Sequence, residues 1–166
     1  MKRIILMSVG IIAIFGAVAP ALADSVNGAS TAGTAAVTIL TPITVTQTQG
    51  LDFGSITSGE GGGEVMIDPR DGGRSVAGGV GAVAANIGQV GMFEVTGEAN
   101  TAISVFVDSA ISGFSGDIKG ETKVSSLPTY LKDNSAGFAV GGVLSIPGST
   151  KSGKYSGTYK VAVNYP

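Results

Sequence analysis

The densest cluster of side chains that could do chemistry is residues 68–74, Asp-Pro-Arg-Asp-Gly-Gly-Arg. A calcium loop needs several oxygen ligands at regular spacing, as in D-x-[DN]-x-[DN]-G, whereas this segment has only two carboxylates, three residues apart. Asp-Pro and Asp-Gly pairs are typical of turns, in which carboxylates accept hydrogen bonds from nearby backbone amides. We therefore predict a turn here, with Arg70 and Arg74 paired to its carboxylates, and no metal site.

Paired carboxylates are the other chemistry that the composition allows. A glycosidase needs two acidic side chains at a set separation, one of them with a raised pKa. Asp52, Glu94 and Glu98 are the candidates, but nothing in their spacing brings two of them together. Glu98 follows a Thr-Gly pair and is expected to be solvated. A carboxylate glycosidase is therefore the weakest of three hypotheses, and we expect the protein not to be an enzyme.

The chain contains no cysteine and no histidine. Thiol nucleophiles, Ser-His-Asp triads and zinc sites with Cys or His ligands are therefore excluded. No serine lies in an S-x-x-K or G-x-S-x-G motif. We predict no catalytic residue, no metal ligand and no cofactor.

The start of the chain has the pattern of a secretory signal peptide. Lys2 and Arg3 form a basic region, residues 4–18 are mostly apolar, and Ala21-Leu22-Ala23 is a small-x-small cleavage site. The apolar run is too short to cross a bilayer comfortably. We predict a signal peptide at residues 1–23, cleavage after Ala23, and no membrane insertion after cleavage.

The remaining chain, residues 24–166, is long enough for one domain with a core. It carries eight basic and twelve acidic residues, without a basic cluster. Binding to nucleic acid or to an anionic membrane surface depends on concentrated Lys and Arg. Neither partner is expected.

The elements that position these residues are predicted to be β-strands. Many β-branched residues, glycine-punctuated turns and the absence of an amphipathic helix favour an all-β domain, a sandwich or barrel. We predict a flexible leader at residues 24–34 and one domain at residues 35–166, with a glycine-rich turn at residues 58–63. The predicted strands cover residues 35–40, 43–48, 51–56, 64–67, 75–83, 91–96, 101–107, 122–127, 138–146 and 154–165.

The last predicted strand alternates between an apolar and a mostly polar face, because strand side chains point to opposite faces with period two. Its apolar face consists of the odd positions Tyr155, Gly157, Tyr159, Val161, Val163 and Tyr165. Such a strand serves either as the last strand of a finished sheet or as a surface offered to another protein.

Several short segments spread over nearly all of residues 24–166 resemble a family of uncharacterised secreted bacterial domains. The resemblance implies an exported β domain and no particular reaction. The segments are Leu51-Asp52-Phe53-Gly54, Ile67-Asp68-Pro69, Gly72-Gly73-Arg74, Val95-Thr96-Gly97-Glu98, Tyr155-Ser156-Gly157-Thr158-Tyr159 and Val163-Asn164-Tyr165.

The closing residues also resemble a fimbrial subunit of the chaperone–usher type. Gly153 is fourteenth from the end, Tyr165 is penultimate, and apolar residues alternate between them. The resemblance implies an immunoglobulin-like β-sandwich that lacks its final strand and is completed by a donor strand from another subunit. It implies a periplasmic chaperone, an outer-membrane usher and other copies of the chain as partners, with export to the periplasm and then to the cell surface. Many such subunits carry a disulfide, which this chain lacks.

The donor strand implied by this resemblance is residues 35–40, with Val37 and Ile39 as anchors and Ala35 as a small plug. Pro42 separates it from the next strand, since proline cannot donate to a sheet. The interface with the chaperone or another subunit that the resemblance implies is the C-terminal strand, with Gly153, Tyr155, Tyr159, Val161, Val163 and Tyr165.

Our leading hypothesis is a structural subunit of a surface fimbria that polymerises by donor-strand exchange and contributes to adhesion. The second is a self-complete secreted β-sandwich acting as a monomeric adhesin or binding module. It predicts that residues 35–40 pair within their own chain.

Overall fold

The computed structural model describes residues 29–166, so the predicted signal peptide and the first part of the leader lie outside the described residues. Residues 29–37 form no helix or strand, and the domain proper spans Thr38–Pro166. All regular elements of the described chain are β-strands. They are β1 (Thr44–Gln49), β2 (Ile56–Ile67), β3 (Arg74–Ala82), β4 (Gly91–Thr96), β5 (Thr101–Ala102), β6 (Ser104–Val107), β7 (Ala110–Ile111), β8 (Lys119–Val124), β9 (Tyr130–Leu131), β10 (Ser135–Ile146) and β11 (Val161–Asn164).

The main sheet is antiparallel and is organised around the long strand β10, in the order β1-β4-β10-β2-β3. The first half of β10 pairs with β4, from Ser135 opposite Thr96 to Val140 opposite Gly91. Its second half pairs with β2, and β8 lies along its other edge. β10 is therefore the strand through which the rest of the main sheet is joined.

Two small antiparallel sheets complete the fold, one of β6 and β11 and one of β5 and β9. Val105 and Val107 of β6 and Val161 and Val163 of β11 pack onto the core cluster that β4 and β10 supply. Two sheet layers with apolar side chains between them form a β-sandwich. The predicted all-β, sandwich class is confirmed.

The core follows from alternation of buried and exposed side chains, which is strict in β4. In β4 the side chains of Phe93 and Val95 are buried, whereas Met92, Glu94 and Thr96 are exposed. Phe93 stacks on Phe138 of β10 with ring centroids 5.3 Å apart. The first core cluster consists of Phe93, Val95, Ile103, Leu131, Phe138 and Val140. The second consists of Val65, Val80, Ile111, Leu144 and Ile146.

Several strand boundaries differ from those predicted. The glycines at residues 58–63 do not form a turn. They lie within β2, where the pairing with β3 shifts register between Ser58 and Gly63. Gly62 and Gly78 have positive φ at this irregularity, a conformation that glycine adopts without strain. The predicted strand at residues 51–56 is not formed as a unit. Asp52 forms an isolated bridge with Gln89.

Two further predicted strands are changed by local contacts. The predicted strand 101–107 is broken at Ile103, whose side chain is buried and whose amide donates to the Thr129 carbonyl. The weakly patterned strand at 122–127 lies earlier, at Lys119–Val124, because its partner β10 sets the register.

Candidate functional site

The C-terminal segment has the predicted alternation. Its odd positions from Tyr155 to Tyr165 are half-buried, and its even positions are exposed except Ala162. Four of the predicted interface residues pack against the first core cluster, namely Tyr159, Val161, Val163 and Tyr165. The apolar face therefore forms part of the interior of this domain.

Regular pairing in this segment is shorter than the predicted strand 154–165. Only β11 pairs with β6, from Val161 opposite Val107 to Asn164 opposite Ser104. Thr158 forms a separate bridge with Ser112, because the facing chain turns aside between them to pair with β8.

Gly153 and Tyr155 lie outside the paired region. Gly153 is in an exposed bend, and the Tyr155 hydroxyl donates to the Lys151 carbonyl over 2.7 Å. The two residues lie near each other, because the ideal Cβ position of Gly153 is 3.7 Å from the Tyr155 ring. Neither residue belongs to the strand.

A groove of about 460 Å³ lies between β1 and the C-terminal segment. In the described chain β1 pairs only with β4, and β11 pairs only with β6, so each leaves one strand edge without a partner. None of the lining side chains is charged. The lining residues are Val45, Gln47, Gly50, Leu51, Phe93, Gly157, Thr158, Tyr159 and Val161.

The inner face of β1 is unusually open for a strand in a sandwich. Val45 lies opposite Val95 and Gln47 opposite Phe93, so they share the core-facing side of the sheet. Val95 is 0% exposed, whereas Val45 remains 38% exposed. The apolar layer over β4 is therefore complete, and the layer over β1 is not.

Tyr159 lies in the wall of this groove and joins the two core clusters, since it packs against both. Its ring meets Phe93 edge-on at 6.1 Å between centroids. Its hydroxyl is buried and has no hydrogen-bond partner within residues 29–166. Desolvation raises the pKa of this phenol above its ordinary value.

Gly91, at the start of β4, makes room for the Tyr159 hydroxyl. A Cβ atom built on Gly91 would lie 2.7 Å from that oxygen. Gly97, just after β4, makes room for Tyr165 in the same way, at 2.5 Å. Tyr159 and Tyr165 are six residues apart, and so are Gly91 and Gly97. The C-terminal segment therefore packs closely against β4 at two points, each a tyrosine hydroxyl beside a glycine.

Tyr165, Thr41 and Glu98 form a hydrogen-bonded group that we call the Thr41 anchor. The Glu98 Oε2 atom accepts from the Thr41 amide at 2.9 Å and from its hydroxyl at 2.6 Å. The Tyr165 hydroxyl donates to the Thr41 carbonyl and accepts from the Glu98 amide, each at 2.7 Å. These bonds from Thr41 stabilise the carboxylate and hold the pKa of Glu98 below its ordinary value.

Sequence reasoning missed the Thr41 anchor. Glu98 was expected to be solvated, and it is partly exposed, but its carboxylate is committed to a residue 57 positions away. No local pattern signals such a contact. The one available signal was Tyr165, whose hydroxyl needs a partner when its ring is packed.

The predicted donor residues precede this anchor. Residues 29–43 belong to no strand of the structure, and residues 29–42 are exposed. Val37 is 84% and Ile39 is 88% exposed, and Ala35 is also exposed. Residues 35–40 contain no charged side chain.

The turn at residues 68–74 has the predicted carboxylate geometry. Asp68 accepts from the Arg70 amide at 2.8 Å, and Asp71 accepts from the Gly73 amide at 2.7 Å. The predicted arginine pairing is wrong, because the ion pair found among the described residues joins Lys123 and Glu121.

Arg74 instead binds backbone carbonyls. Its guanidinium donates to Ser55 at 3.1 Å, to Asn86 at 2.7 Å and to Val83 at 2.9 Å. A planar fork with several donors suits this role. Arg74 therefore fastens the loop after β3 to the chain before β2.

The other candidate carboxylates have separate local positions. Asp52 accepts from the Gly54 amide at 2.8 Å, and Glu94 lies on the exposed face of β4. Nowhere in residues 29–166 do three Asp, Glu, Cys or His side chains cluster as a metal site requires. In the same part of the chain no helix is long and apolar enough to cross a membrane.

The two sheet layers and their shared core define this protein as a β-sandwich domain with a groove between two strand edges. The chain belongs to the family described as a domain of unknown function, DUF4402, whose model matches residues 43–165. This agrees with the expected family of uncharacterised domains. Comparison with curated proteins and with solved structures gives no match.

Proposed function

We propose that this chain is a structural subunit of a bacterial surface fimbria, whose copies join by donor-strand exchange. Residues 35–40 of one copy would enter the groove between β1 and β11 of the next. The observation that carries the proposal is that one chain contains both an uncharged groove between two unpaired strand edges and an exposed, uncharged segment with strand alternation.

The backbone supports this proposal because each groove edge offers N–H and C=O groups that lack a strand partner. A donor strand paired with β1 satisfies the groups on that edge, and its alternate side chains give specificity. Six residues of strand span about 20 Å at roughly 3.3 Å per residue. β1 is also six residues long, so donor and acceptor edge have the same reach.

The side chains fit as well. Ala35, Val37 and Ile39 share one face of an extended segment, since they are two residues apart. The incomplete apolar layer over Val45 is where that face would be buried. The opposite face of the donor carries Ala36, Thr38 and Leu40, of which the first two are small and suit a solvent-facing surface.

The remaining partners and the route to the surface are part of the same proposal. An open groove with free strand edges is an aggregation hazard before assembly. A periplasmic chaperone that covers the groove, followed by handover at an outer-membrane usher, removes that hazard. Head-to-tail contacts of this kind do not close, so they produce a filament that contributes to adhesion.

The test is to collect the protein from the cell surface and to run it on SDS gels with and without boiling. The wild-type chain should give a ladder that boiling abolishes. Val37→Asn with Ile39→Asn should reduce the ladder to monomer, because polar side chains would replace the two apolar ones that are proposed to pack over Val45. Thr38→Asn, on the other face, is the matched control and should leave the ladder unchanged.

A second variant tests the groove itself. Val45→Lys places a charge in the groove at a position that is already 38% exposed, so the domain should still fold. It should accept no donor, and the ladder should again be lost. A wild-type protein that stays monomeric, or a ladder that survives both changes, contradicts the proposal.

The second hypothesis is a self-complete secreted adhesin or binding module. Its support is the pairing of β11 with β6 and the anchoring of Tyr165, which make the C-terminal strand part of this domain's own fold. Its prediction that residues 35–40 pair within their own chain is wrong, because these residues are exposed and belong to no strand. The alternative still predicts a soluble monomer that is unaffected by changes at Val37 and Ile39.

A further inference from the structure

A chain that carries both a donor segment and a groove must avoid joining them within one molecule. A segment tethered by a short flexible linker meets its own groove at an effective concentration in the millimolar range. Unless something opposes it, residues 35–40 would therefore fill their own groove. Only three residues, Thr41, Pro42 and Ile43, connect them to β1.

The short connection restricts how self-insertion could occur. A strand parallel to β1 needs a crossover of about a dozen residues, far more than three. The antiparallel alternative is a hairpin that reverses within Thr41-Pro42-Ile43. Short hairpin turns place residues at positive φ and so favour Gly, Asn or Asp, none of which occurs here.

The residue types in the connection also favour an extended chain. Proline fixes its own φ near −65° and restricts the preceding residue, Thr41, to extended conformations. Ile43 is β-branched, which makes positive φ strained. Its side chain packs against the first core cluster, so it is held in place.

The Thr41 anchor removes the remaining freedom. Glu98 accepts hydrogen bonds from both the amide and the hydroxyl of Thr41, and the Tyr165 hydroxyl donates one to the Thr41 carbonyl. Pro42 has no amide to donate. A reversal at this point would have to break the anchor, because the amide and hydroxyl protons of Thr41 are both donated to Glu98.

From these contacts we infer that Glu98 and Tyr165 are positioning residues that prevent the chain from filling its own groove. They hold Thr41 extended at the boundary of the domain, so that residues 35–40 are available only to a second copy. The inference rests on the proposed function. It assigns the anchor a role in directing exchange between molecules, beyond its role in stability.

The experiment compares wild type with Glu98→Ala combined with Tyr165→Phe, which keeps the packed ring. The ratio of heat-sensitive ladder to monomer should fall by about tenfold or more. The reason is that the chain's own donor segment then competes with the donor of another copy for the same groove. In the monomer of this variant, residues 35–40 should occupy the groove of their own molecule. Adding Val37→Asn and Ile39→Asn should therefore lower its thermal midpoint, while the same two changes leave the midpoint of the wild-type monomer unmoved.

Pro42→Gly provides a second route that leaves Glu98 and Tyr165 intact, in case the double variant fails to fold. It relaxes the connection and should also shift ladder towards monomer. If wild type forms a ladder and neither loosened protein loses it, the inference is overturned while the proposed function stands. If wild type forms no ladder, the proposed function fails, and this inference fails with it.

Discussion

Gly91 and Tyr159 compete for the same space, and this gives the sharpest test of the groove geometry. The ideal Cβ position of Gly91 is 2.7 Å from the Tyr159 hydroxyl oxygen and 3.3 Å from the Leu51 amide nitrogen. Gly91→Ala should therefore destabilise the domain. Tyr159→Phe removes the oxygen but keeps the ring against Phe93, so it should rescue the first change.

The magnitudes follow from three effects. Overpacking a core position costs about 1–3 kcal/mol. Replacing glycine by alanine lowers the conformational entropy of the unfolded chain, which stabilises the folded protein by about 0.4–1 kcal/mol. The net effect of Gly91→Ala should therefore be a loss of about 1–2 kcal/mol of unfolding free energy. Tyr159→Phe removes a buried hydroxyl without a partner, whose desolvation costs about 1–3 kcal/mol. It should be neutral or stabilise by about 1 kcal/mol, and the double variant should be about as stable as Tyr159→Phe alone.

The assay is urea unfolding of wild type, both single variants and the double variant, followed by far-UV circular dichroism. Independent changes add within about 0.3–0.5 kcal/mol, so a coupling of about 1 kcal/mol or more is required. Tyr155→Phe is the control, because its hydroxyl bond is exposed and should matter by less than about 0.5 kcal/mol. Simple additivity, or a Tyr159→Phe protein clearly less stable than wild type, refutes the reasoning.

Three further predictions concern single side chains. Because the folded-state pKa of Tyr159 is raised, its contribution to stability is full below the ordinary value of 10.0 and is lost as pH rises through the folded pKa. One tyrosine should therefore ionise late in an absorbance titration, and Tyr159→Phe should abolish that step. The pKa of Glu98 is lowered, so its contribution is present above 4.5 and is lost as pH falls through the folded pKa. The difference in urea midpoint between wild type and Glu98→Gln should accordingly shrink on acidification, and a constant difference would contradict it. Arg74→Lys should destabilise by about 1–3 kcal/mol, because an ammonium cannot reproduce the fork of bonds to carbonyls, and should speed amide exchange at Val83. The exposed Arg70→Lys is its control, and equal effects at the two arginines would argue against the carbonyl contacts.

Strong local patterns were predictable from the sequence. The strand at residues 91–96 has the predicted bounds, because Phe93 and Val95 alternate with polar or exposed residues at period two. The turn carboxylates of Asp68 and Asp71 were predictable because such side chains bond amides two residues on.

Features that depend on tertiary pairing were not predictable. Glycines occur in both turns and bulges, so the run at residues 58–63 gave no basis for choosing the bulge in β2. Arg74 has acidic neighbours in sequence, yet its nearest acceptors in space are carbonyls. The groove exists because β1 and β11 each keep one unpaired edge, which only the tertiary pairing determines. The anchor joins Thr41, before β1, to Glu98, after β4, which is 57 positions away in the sequence. Neither feature leaves a local periodic signal.

The position of β10 in the chain determines the order in which the domain can fold. β1 pairs with β4 and β2 with β3, but within the main sheet these two pairs are joined only by Ser135–Ile146. A chain that emerges with its N-terminus first therefore holds two separate strand pairs until β10 arrives. Folding that waits for distant segments is slow. During synthesis, the joining of the sheet can begin only after more than three-quarters of the chain has emerged.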